Sequence, residues 1–562
     1  MLLINKSDSK GKIAQIETGQ GKTIIIVMLA SFLSLKYNCK VFIITSNSEL
    51  AKRDAKMNRQ LFENCGLKIF PNDEKDDDPN YLSSELYNKK RIFYGTASTF
   101  CGLIIRQKIG EGFEKNIYDS LIIDEIDNLT IDNFSTFTYL CTPINGFELL
   151  NPFYILIYCV AHCLKKQILF KDEYYYFIPF SMEYDGKNHI KMFNSDLTYP
   201  LEQFKMTFKQ LEKFFINTIK NIVKDFIIEY KKQGSYFYPP FYEKYINNEL
   251  DILSKSSFEI SYYEYNDNYV ISNVEMSNKI CPVSKDTGIT ELNRVYSNAV
   301  SFFLSIKHKL DLNEECLSPT FLTYASMFKI FASDKQNNLY GVTGTIGEKN
   351  DAQTFLKNFY NVDIVFSPSF NKNLSIAYPP ILVNNEKKWI ETIIKVVIKE
   401  VKKGRAILII NEGIKKSKII YDKIKNINSI YVKQLKEYTR SDFQNHKIII
   451  NTILNEGEVI VTTNLGGRGT DIKLSKDVEK NGGMNVSLTF LPSNSRIEKQ
   501  AFGRTARQGN RGSYQYIVIK KNPNDTITQM IDERNEIEKK RLQNVEKSVQ
   551  HIIKKDKLFD NF

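Results

Sequence analysis

The sequence predicts an α/β fold of two units, each with a parallel β-sheet covered by helices, separated by an insertion of a different character. Short apolar runs alternate with helical patterns near both ends of the chain, which is typical of parallel sheets. A segment dense in Tyr and Phe interrupts this alternation from about 134 to 320. At 562 residues, the chain is also too long for one core.

The first unit begins with an apolar strand and a glycine-rich loop. Lys12–Ile16 predicts the strand, and a helix follows the loop from Lys22. Lys40–Thr45 predicts a buried strand, with a helix from about Glu49. Ser120–Asp127 is an apolar run that ends in acidic residues. This order of strands and helices predicts a parallel sheet with helices on both faces.

The alternation resumes at Gly341–Thr345, and the second unit has predicted strands at Arg405–Ile410, Glu458–Thr463 and Met484–Phe490. From Asp525 to about 557, apolar spacing predicts an amphipathic helix capped by Asn524 or Asp525. We expect it to pack on the preceding units, with membrane binding as the alternative. The predicted domains are 1–135 continued at about 321–375, an insertion at 136–320, a second domain at 376–520 and a C-terminal helix at 521–562.

The composition excludes several classes of protein. The net charge of +12 comes mostly from scattered Lys, which is typical of a solvated surface and compatible with acidic lipid or nucleic acid. The eight cysteines form no C-x-x-C pair, so we expect reduced thiols and no zinc site. The longest apolar run, from Asn151, is too short to span a bilayer and predicts a buried helix. No signal peptide is evident, so we expect a cytoplasmic protein.

The segment IETGQGKT (Ile16–Thr23) has the composition of a phosphate-binding loop. Gly19 and Gly21 lack a Cβ, so backbone N–H groups can turn toward phosphate oxygens. Lys22 would reach the β- and γ-phosphates of ATP, and the Thr23 hydroxyl would hold Mg²⁺. The strict pattern has Gly or Ala where Ile16 stands, so this segment alone leaves open a glycine-rich turn without a ligand.

A pair of acidic residues lies at the end of the apolar strand predicted within Ser120–Asp127. Asp124 and Glu125 stand at its carboxyl end, where α/β folds bind ligands. Asp124 can hold Mg²⁺ through water, and Glu125 can orient or deprotonate the attacking water. Such acids can also be a solvated helix start, but the phosphate loop earlier in the chain favours a nucleotide site.

Arginines cluster in the second unit of a chain that otherwise prefers lysine. Thr462–Ile472 (TTNLGGRGTDI) and Gln500–Gly509 (QAFGRTARQG) carry Arg468, Arg504 and Arg507. A guanidinium can stabilise the charge on a departing γ-phosphate with fixed geometry. Arginines on the second unit would also link closure of a cleft to hydrolysis. Surface arginines in loops are the alternative.

Together, these motifs resemble those of SecA, the ATPase family that drives preproteins through the bacterial Sec channel. The resemblance extends from about Met1 to Ile519. The matching segments are IETGQGKT, SNSELAKRD (Ser46–Asp54), YGTASTF (Tyr94–Phe100), DEID (Asp124–Asp127), GVTGT (Gly341–Thr345), TTNLGGRGTDI and QAFGRTARQG. A DEAD-box RNA helicase would instead show D-E-A-D, S-A-T and H-R-x-G-R-x-G-R. The insertion lies where the family carries its preprotein cross-linking domain, and Arg294–Lys309 and Leu322–Phe331 are similar to family segments there.

The resemblance implies two RecA-like parallel-sheet motor domains, an inserted α+β domain like the preprotein cross-linking domain, and a C-terminal helix. It implies ATP and Mg²⁺ at the interface of the motor domains. The implied nucleotide-binding residues are Thr18, Gly19, Gln20, Gly21, Lys22, Thr23, Asp124, Arg468 and Asp471, of which Thr23 and Asp124 hold the metal and Asp471 approaches the ribose. The implied catalytic residues are the base Glu125 and the arginine fingers Arg504 and Arg507, and the implied coupling residues are Asp127, Thr343, Thr345 and Gln500.

The implied substrate is an unfolded polypeptide or preprotein clamped by the inserted domain. A Sec-type channel and an acidic membrane surface are further implied partners, which would make the protein peripheral to the membrane. Several family positions differ. The adenine-reading Gln falls on Met1, T-N-R-P becomes SFNK (Ser369–Lys372), R-H-E-S-R-R becomes LPSNSR (Leu491–Arg496), and the second Gly of G-R-x-G-R is Ala506. We expect a truncated N-terminus and the loss of the scaffold helix, two-helix finger and zinc-binding tail.

Three functions remain open from the sequence. The first is a SecA-like ATPase that moves polypeptide, and nucleic acid is not expected as its partner. The second is a superfamily 2 nucleic-acid motor, for which the shared RecA pair and the basic charge argue. The third is a non-translocating remnant, for which the missing finger argues, although Lys22, Glu125 and Arg507 are all retained.

Overall fold

The computed structural model describes most of the chain, and two parallel sheets dominate it. The described residues are 11–46, 48–71, 91–108, 120–133, 136–143, 147–171, 174–177, 180–184, 190–194, 205–234, 236, 238–265, 267–274, 277–283, 296, 299–310, 312, 316–332, 338–346, 351–427, 429–438, 453–463 and 472–559.

The first part of the chain alternates strands and helices. Its elements are β1 (Gly11–Gln15), α1 (Lys22–Tyr37), β2 (Val41–Thr45), α2 (Ser48–Asn64), β3 (Lys68–Pro71), β4 (Arg91–Thr96), α3 (Ala97–Lys108) and β5 (Ser120–Asp124). A single π-helical turn, Asn128–Asp132, follows β5. The predicted strands and helices of this region are confirmed, with ends shifted by a few residues.

The insertion forms one of two compact units, Thr142–Leu317. Strands β6 (Phe137–Pro143) and β14 (Cys316–Thr323) lead into and out of it and pair with each other. Where they join the rest of the chain, the Tyr324 N–H donates to the Thr136 carbonyl at 3.1 Å. The elements between are α4 (Asn151–Lys166), β7 (Ile168–Lys171), β8 (Tyr174–Phe177), β9 (Phe180–Tyr184), β10 (Ile190–Asn194), β11 (Lys205–Met206), α5 (Phe208–Lys232), α6 (Glu243–Ile260), β12 (Tyr269–Val274), β13 (Ser277–Pro282) and α7 (Val300–His308).

Helices and aromatic side chains form the core of the insertion. Phe153, Tyr154, Phe215 and Phe303 are wholly buried there. The described strands pair only in small antiparallel groups, β9 with β10, β12 with β13, and β7 with β8 and β11. Helix α4 buries one side, which confirms the prediction of a buried helix at Asn151. The insertion is therefore of mixed α and β structure.

The remaining elements complete the first sheet and build the second. They are α8 (Tyr324–Phe331), β15 (Leu339–Thr343), α9 (Asp351–Tyr360), β16 (Val362–Phe366), β17 (Leu374–Ala377), β18 (Ile381–Val383), α10 (Glu386–Lys402), β19 (Ile407–Asn411), α11 (Ile414–Lys425), β20 (Gln434–Tyr438), β21 (Glu458–Thr463), α12 (Lys476–Lys480), β22 (Met484–Leu488), α13 (Ser495–Phe502), β23 (Arg511–Ile519) and α14 (Ile527–Phe559).

Both large sheets are parallel, which confirms the predicted RecA-like fold class. The first has the strand order β16-β1-β15-β5-β2-β4-β3. The second has the order β17-β23-β22-β19-β21-β20, and β18 also pairs with β23. Because β1, β15 and β5 are neighbours, the loops after their carboxyl ends lie side by side. Those loops carry the glycine-rich segment, the GVTGT threonines and the DEID acids.

Helix α14 packs on the first of these α/β domains. Leu542 and Val545 are buried in the same core as Phe328 and Phe355, which confirms packing on the preceding units. The predicted cap at Asn524 or Asp525 is wrong. Thr526 is the cap, because its hydroxyl accepts from the Gln529 N–H at 3.3 Å and the Gln529 side chain accepts from the Thr526 N–H at 3.0 Å. Asp525 instead closes a turn, accepting from the Asn522 N–H at 2.8 Å.

Two further expectations concern the cysteines and the length of the apolar helices in the described part of the chain. The cysteines described there are free thiols. No helix within the described ranges combines the length and hydropathy that crossing a membrane would require.

Candidate nucleotide site

The phosphate loop follows β1 and leads directly into α1. Gly19 and Gly21 have φ angles of 85° and 83°, a region that favours glycine. Helix α1 has no side-chain cap at its start, so its first N–H groups have no side-chain acceptor. Such a helix start is suited to an anion. Gly344 lets the GVTGT loop approach, because an added Cβ would lie 3.1 Å from the Thr18 hydroxyl and 3.4 Å from Lys22 Nζ.

Lys22 of the loop pairs with the proposed catalytic base. Its Nζ lies 2.5 Å from Glu125 Oε1. Burial alone would lower the pKa of Lys22, but the charges of Glu125 and Asp124 outweigh it and raise the pKa above its usual value. Glu125 has a φ of 50°, an uncommon conformation for a residue other than glycine. The chain therefore turns sharply after β5 and directs Glu125 at the phosphate loop.

Asp124 at the end of β5 suits a metal ligand. Burial, followed by the charge of Glu125, raises the pKa of Asp124 to about 7. Its Oδ1 accepts the Glu125 N–H at 3.0 Å. A divalent cation would relieve this crowding of acids, and Mg²⁺ prefers oxygen ligands. No group of three or more His, Cys, Asp or Glu in the described ranges could hold a metal alone. Asp124 therefore suits a Mg²⁺ that arrives with nucleotide phosphates and water, and Thr23, the second residue of α1, stays a predicted ligand.

Two threonines and a side-chain amide link this site to helix α13 of the second domain. Thr343 donates to Asp127 at 2.6 Å, and Thr345 donates to the other carboxylate oxygen of Asp127 at 2.6 Å. Gln500 on α13 donates to the Thr345 hydroxyl at 3.1 Å. The Thr343 hydroxyl also lies 3.3 Å from Glu125 Oε2. These are the four coupling residues that the resemblance implies, and we call Asp127, Thr343, Thr345 and Gln500 the coupling relay.

The relay is buried and polar throughout. Asp127, Thr343, Thr345 and Gln500 are each less than a tenth exposed. Burial first, and then the charges of Glu125 and Asp132, raise the pKa of Asp127, and the two threonine hydroxyls oppose the rise. Thr343 and Thr345 flank Gly344, which lies beside Lys22, so hydrogen bonds connect the surroundings of the phosphate loop to α13.

One arginine of the second domain, Arg507, lies beside the phosphate loop. An added Cβ on Gly19 would be 3.7 Å from Arg507 Cβ and 3.8 Å from its Cγ and Cδ. Arg507 Nε donates to the Gly503 carbonyl at 2.8 Å. Arg504 is buried, and its positive charge acts on Tyr438 of β20. The structure thus brings Arg507 to the loop and holds Arg504 in the second domain. Arg468, Asp471 and Met1 lie outside the described residues.

A cluster of charges that the sequence did not single out surrounds Arg496, which lies one helical turn before Gln500 on α13. Arg496 lies 2.7 Å from Asp132 and 2.6 Å from Glu538 of α14. Arg541 pairs with Glu538 at 2.6 Å and donates to the Ile131 carbonyl at 3.2 Å. We call Asp132, Arg496, Glu538 and Arg541 the charge cluster.

Three members of the charge cluster are largely removed from water, whereas 36% of the Arg541 side chain is exposed. Only 3% of the Arg496 side chain is exposed, against 13% for Asp132 and 12% for Glu538. Burial would lower the pKa of Arg496, but Asp132 and Glu538 hold it above its usual value. Asp132 ends the π-helical turn after the DEID segment, so the cluster joins the first domain, α13 and α14. The sequence feature that could have indicated this cluster is Arg496, which is retained in the LPSNSR segment although most of the family's motif there has changed.

The sequence also did not single out Asp54, a buried carboxyl near Asp124. Asp54 of the SNSELAKRD segment is buried, and its charge adds to the crowding at Asp124. Burial raises the pKa of Asp54, while its partner Arg53, 2.8 Å away, lowers it. The sequence showed this pair only as part of a matching segment, because neighbouring acid and base residues are common on helix surfaces.

The fold and the site define a class: P-loop ATPases built from two RecA-like domains. The chain belongs to the SecA family. The family model of the SecA DEAD-like domain matches residues 6–355, and the model of the SecA P-loop domain matches residues 380–486.

Relatives of the chain carry the same family name. The protein translocase subunit SecA of Sulfurimonas denitrificans is 26% identical over 515 residues, which cover 91% of this chain and 52% of that protein. SecA of Helicobacter hepaticus is 25% identical over 517 residues, covering 90% and 52%. The chain therefore spans about half the length of the curated relatives it matches.

Solved structures with some likeness are helicases. Dbp5 of S. cerevisiae bound to RNA and ADP BeF3 is 13% identical with a TM-score of 0.41, covering 98% of this chain and 91% of that one. The DEAD-box helicase Mss116 bound to ssRNA and UDP-BeF is 13% identical with a TM-score of 0.40, covering 92% and 68%. Likeness of this degree says nothing about what the chain binds.

Proposed function

We propose that this chain hydrolyses ATP and couples turnover to the movement of unfolded polypeptide. One observation carries the proposal: an unbroken line of contacts from Lys22 through Glu125, Thr343, Asp127 and Thr345 to Gln500. It joins the phosphate loop to the helix that precedes the arginines. Chemistry at one end can therefore move the second domain.

The nucleotide would compete for Lys22. In the structure, Lys22 neutralises Glu125 at 2.5 Å, so the base is occupied. Phosphate oxygens in the loop offer Lys22 a second anionic partner, and its departure would leave the Glu125 carboxylate available to the attacking water. Glu125 then accepts the proton of that water. The base is therefore released only when nucleotide is bound.

The remaining groups act on the charge of the phosphates. Asp124 and Thr23 would hold Mg²⁺, which neutralises phosphate charge when bound. Arg507, already beside Gly19, would reach the γ-phosphate, and Arg504 would follow as the domains close. Asp471 is proposed to approach the ribose and Arg468 to take part in nucleotide binding. Gln500 is connected to the site by its hydrogen bond to Thr345, which in turn donates to Asp127, so a movement at the site would reach Gln500 through these bonds.

The substrate and the partners belong to the same proposal. The inserted unit would clamp an unfolded polypeptide, and a Sec-type channel and an acidic membrane surface would complete the assembly. The support is the family of the chain together with an insertion between β5 and β15, two neighbouring strands of the first sheet. The chain spans about half of its relatives, so the polypeptide-moving activity needs a direct test.

The test is steady-state ATP hydrolysis by the purified chain with Mg²⁺, alone and with unfolded polypeptide, RNA or acidic liposomes. Polypeptide or liposomes should raise turnover, and RNA should not. Salt-sensitive stimulation by RNA alone would replace the proposal with a nucleic-acid motor. Absence of turnover under every condition would show that the chain is no longer a motor.

Two variants assign the roles within that assay. Glu125→Gln should keep nucleotide binding and lower turnover by about 10²–10⁴-fold, as expected for removal of a general base. Lys22→Ala should weaken nucleotide binding itself. Normal hydrolysis by Glu125→Gln would show that another group activates the water.

A further inference from the structure

The segment between the two sheets passes directly beside the phosphate loop. It leaves β16 with the Ser367 N–H donating to the Gln15 carbonyl at 3.0 Å, at the end of β1. Farther on, the Phe370 N–H donates to Gln20 Oε1 at 3.3 Å. Two hydrogen bonds therefore fix the course of the segment along the first domain.

The same segment is held from the side of the second domain. An added Cβ on Gly509, whose φ is 83°, would lie 3.5 Å from Asn371 Cβ. Arg507, two residues before Gly509, covers Gly19 of the loop. The segment thus lies where the loop and the arginine-bearing turn meet, with Phe370 in the middle of these anchors.

The Phe370 ring is turned to water, and 93% of the residue is exposed. Its neighbours Ser369, Asn371 and Lys372 are polar, so the ring stands alone and forms no apolar patch of the size that marks a protein or membrane contact. A single flat ring among polar groups suits one flat aromatic partner. A nucleotide whose phosphates lie in the loop has such a partner in its base, which lies outside the loop.

We propose that Phe370 stacks on the purine base of the bound nucleotide. The inference rests on the proposed function, since it requires a nucleotide in the phosphate loop. Stacking involves the plane that all purines share and not their exocyclic groups. Phe370 therefore adds affinity for adenine and guanine nucleotides alike, and selectivity between them must come from other residues.

The test compares ligands with and without a base by titration calorimetry with Mg²⁺. The ligands are ADP, GDP and pyrophosphate, measured on the wild-type chain and on Phe370→Ala. The substitution should weaken ADP and GDP by about tenfold each, within the range of base–aromatic stacking, and leave pyrophosphate unchanged. Phe370→Trp keeps an aromatic face and should retain the affinity for both nucleotides.

Ile430→Ala is the matched control, because Ile430 is 86% exposed and precedes the amino-terminal end of β20 in the second domain. It should change the affinity of no ligand. Equal losses for pyrophosphate and ADP in Phe370→Ala would show that the residue only positions Gln20, and would overturn the inference. Unchanged affinity for all three ligands would overturn it too, while leaving nucleotide binding intact. Wild-type protein that bound neither ADP nor pyrophosphate would overturn the proposed function together with the inference.

Discussion

The coupling relay and the charge cluster both connect the segment after β5 to α13, but they do so by different kinds of interaction. Both start on the segment after β5, and both meet α13. The relay connects Asp127 to Gln500 through threonine hydroxyls. The cluster connects Asp132 to Arg496 and adds Glu538 of α14. Short, directional bonds thus lie on the side of the nucleotide, and full charges lie on the side of the C-terminal helix.

We propose from this difference that the two connections have different roles. A hydroxyl-to-carboxylate bond is lost when its atoms shift by a fraction of its length, so the relay can respond to small movements of the loop. A buried ion pair is costly to leave incomplete, so the cluster holds α13 against α14 through such movements. The variants below test this division, in order of expected effect.

Arg496→Met should have the largest effect on stability. It removes the central charge and leaves Asp132 and Glu538 with Arg541 alone, so the free energy of unfolding should fall by about 3–5 kcal/mol. Urea unfolding followed by Trp389 fluorescence measures it, since Trp389 is the only tryptophan of the chain and is buried in the second domain.

The control for Arg496→Met is Lys416→Met. Lys416 pairs with Glu412 at 2.6 Å, but 41% of its side chain is exposed, so its loss should cost about 0–1 kcal/mol. The Arg496 effect should persist in 1 M salt, about a 3 Å Debye length, because Arg496, Asp132 and Glu538 are largely buried. A loss as small as that of the control would mean that water compensates the cluster and that the comparison fails.

Thr345→Val should have an intermediate effect on stability and a clear effect on turnover. The change keeps the shape but removes a hydroxyl that donates to Asp127 and accepts from Gln500. Leaving a buried carboxylate short of a donor should cost about 1–3 kcal/mol. ATP turnover should fall, whereas Thr345→Ser should retain both properties. Wild-type turnover in Thr345→Val would show that the relay does not couple the domains.

Gln500→Met should have the smallest effect on stability, about 1 kcal/mol, because the Thr345 hydroxyl still satisfies Asp127. The main change should be a lower kcat with an unchanged KM for ATP, since Gln500 lies behind the threonines and not in the phosphate loop. Lys499→Met, an exposed neighbour on α13, is the control. A higher KM with normal kcat would place Gln500 in nucleotide binding instead.

Much of the nucleotide site could be predicted because its residues follow strand ends. Lys22, Asp124 and Thr343 come after β1, at the end of β5 and at the end of β15, and parallel neighbours bring such ends to one edge. The apolar runs fixed the strands closely, since buried parallel strands have little polar content. The roles assigned to the individual residues remain proposals.

The charge cluster could not be predicted for a physical reason. Arg496 and Asp132 are far apart in the chain, and charged residues are common on helix surfaces, so neither announces its partner. The left-handed backbone at Glu125 could not be predicted either, because glycine is the residue that usually indicates that conformation. The cap of α14 was misplaced by a residue or two because Asn524, Asp525 and Thr526 are all suitable caps, and only the Gln529 partner distinguishes them.

The hydrogen bond between Thr136 and Tyr324 has a consequence for how this chain could be altered. A segment whose two ends meet at a single point makes no demand on the strand order of its host, so its removal or exchange leaves β5 and β15 free to pair. The insertion is therefore a detachable module, and other units could be grafted at this junction onto the same pair of parallel-sheet domains.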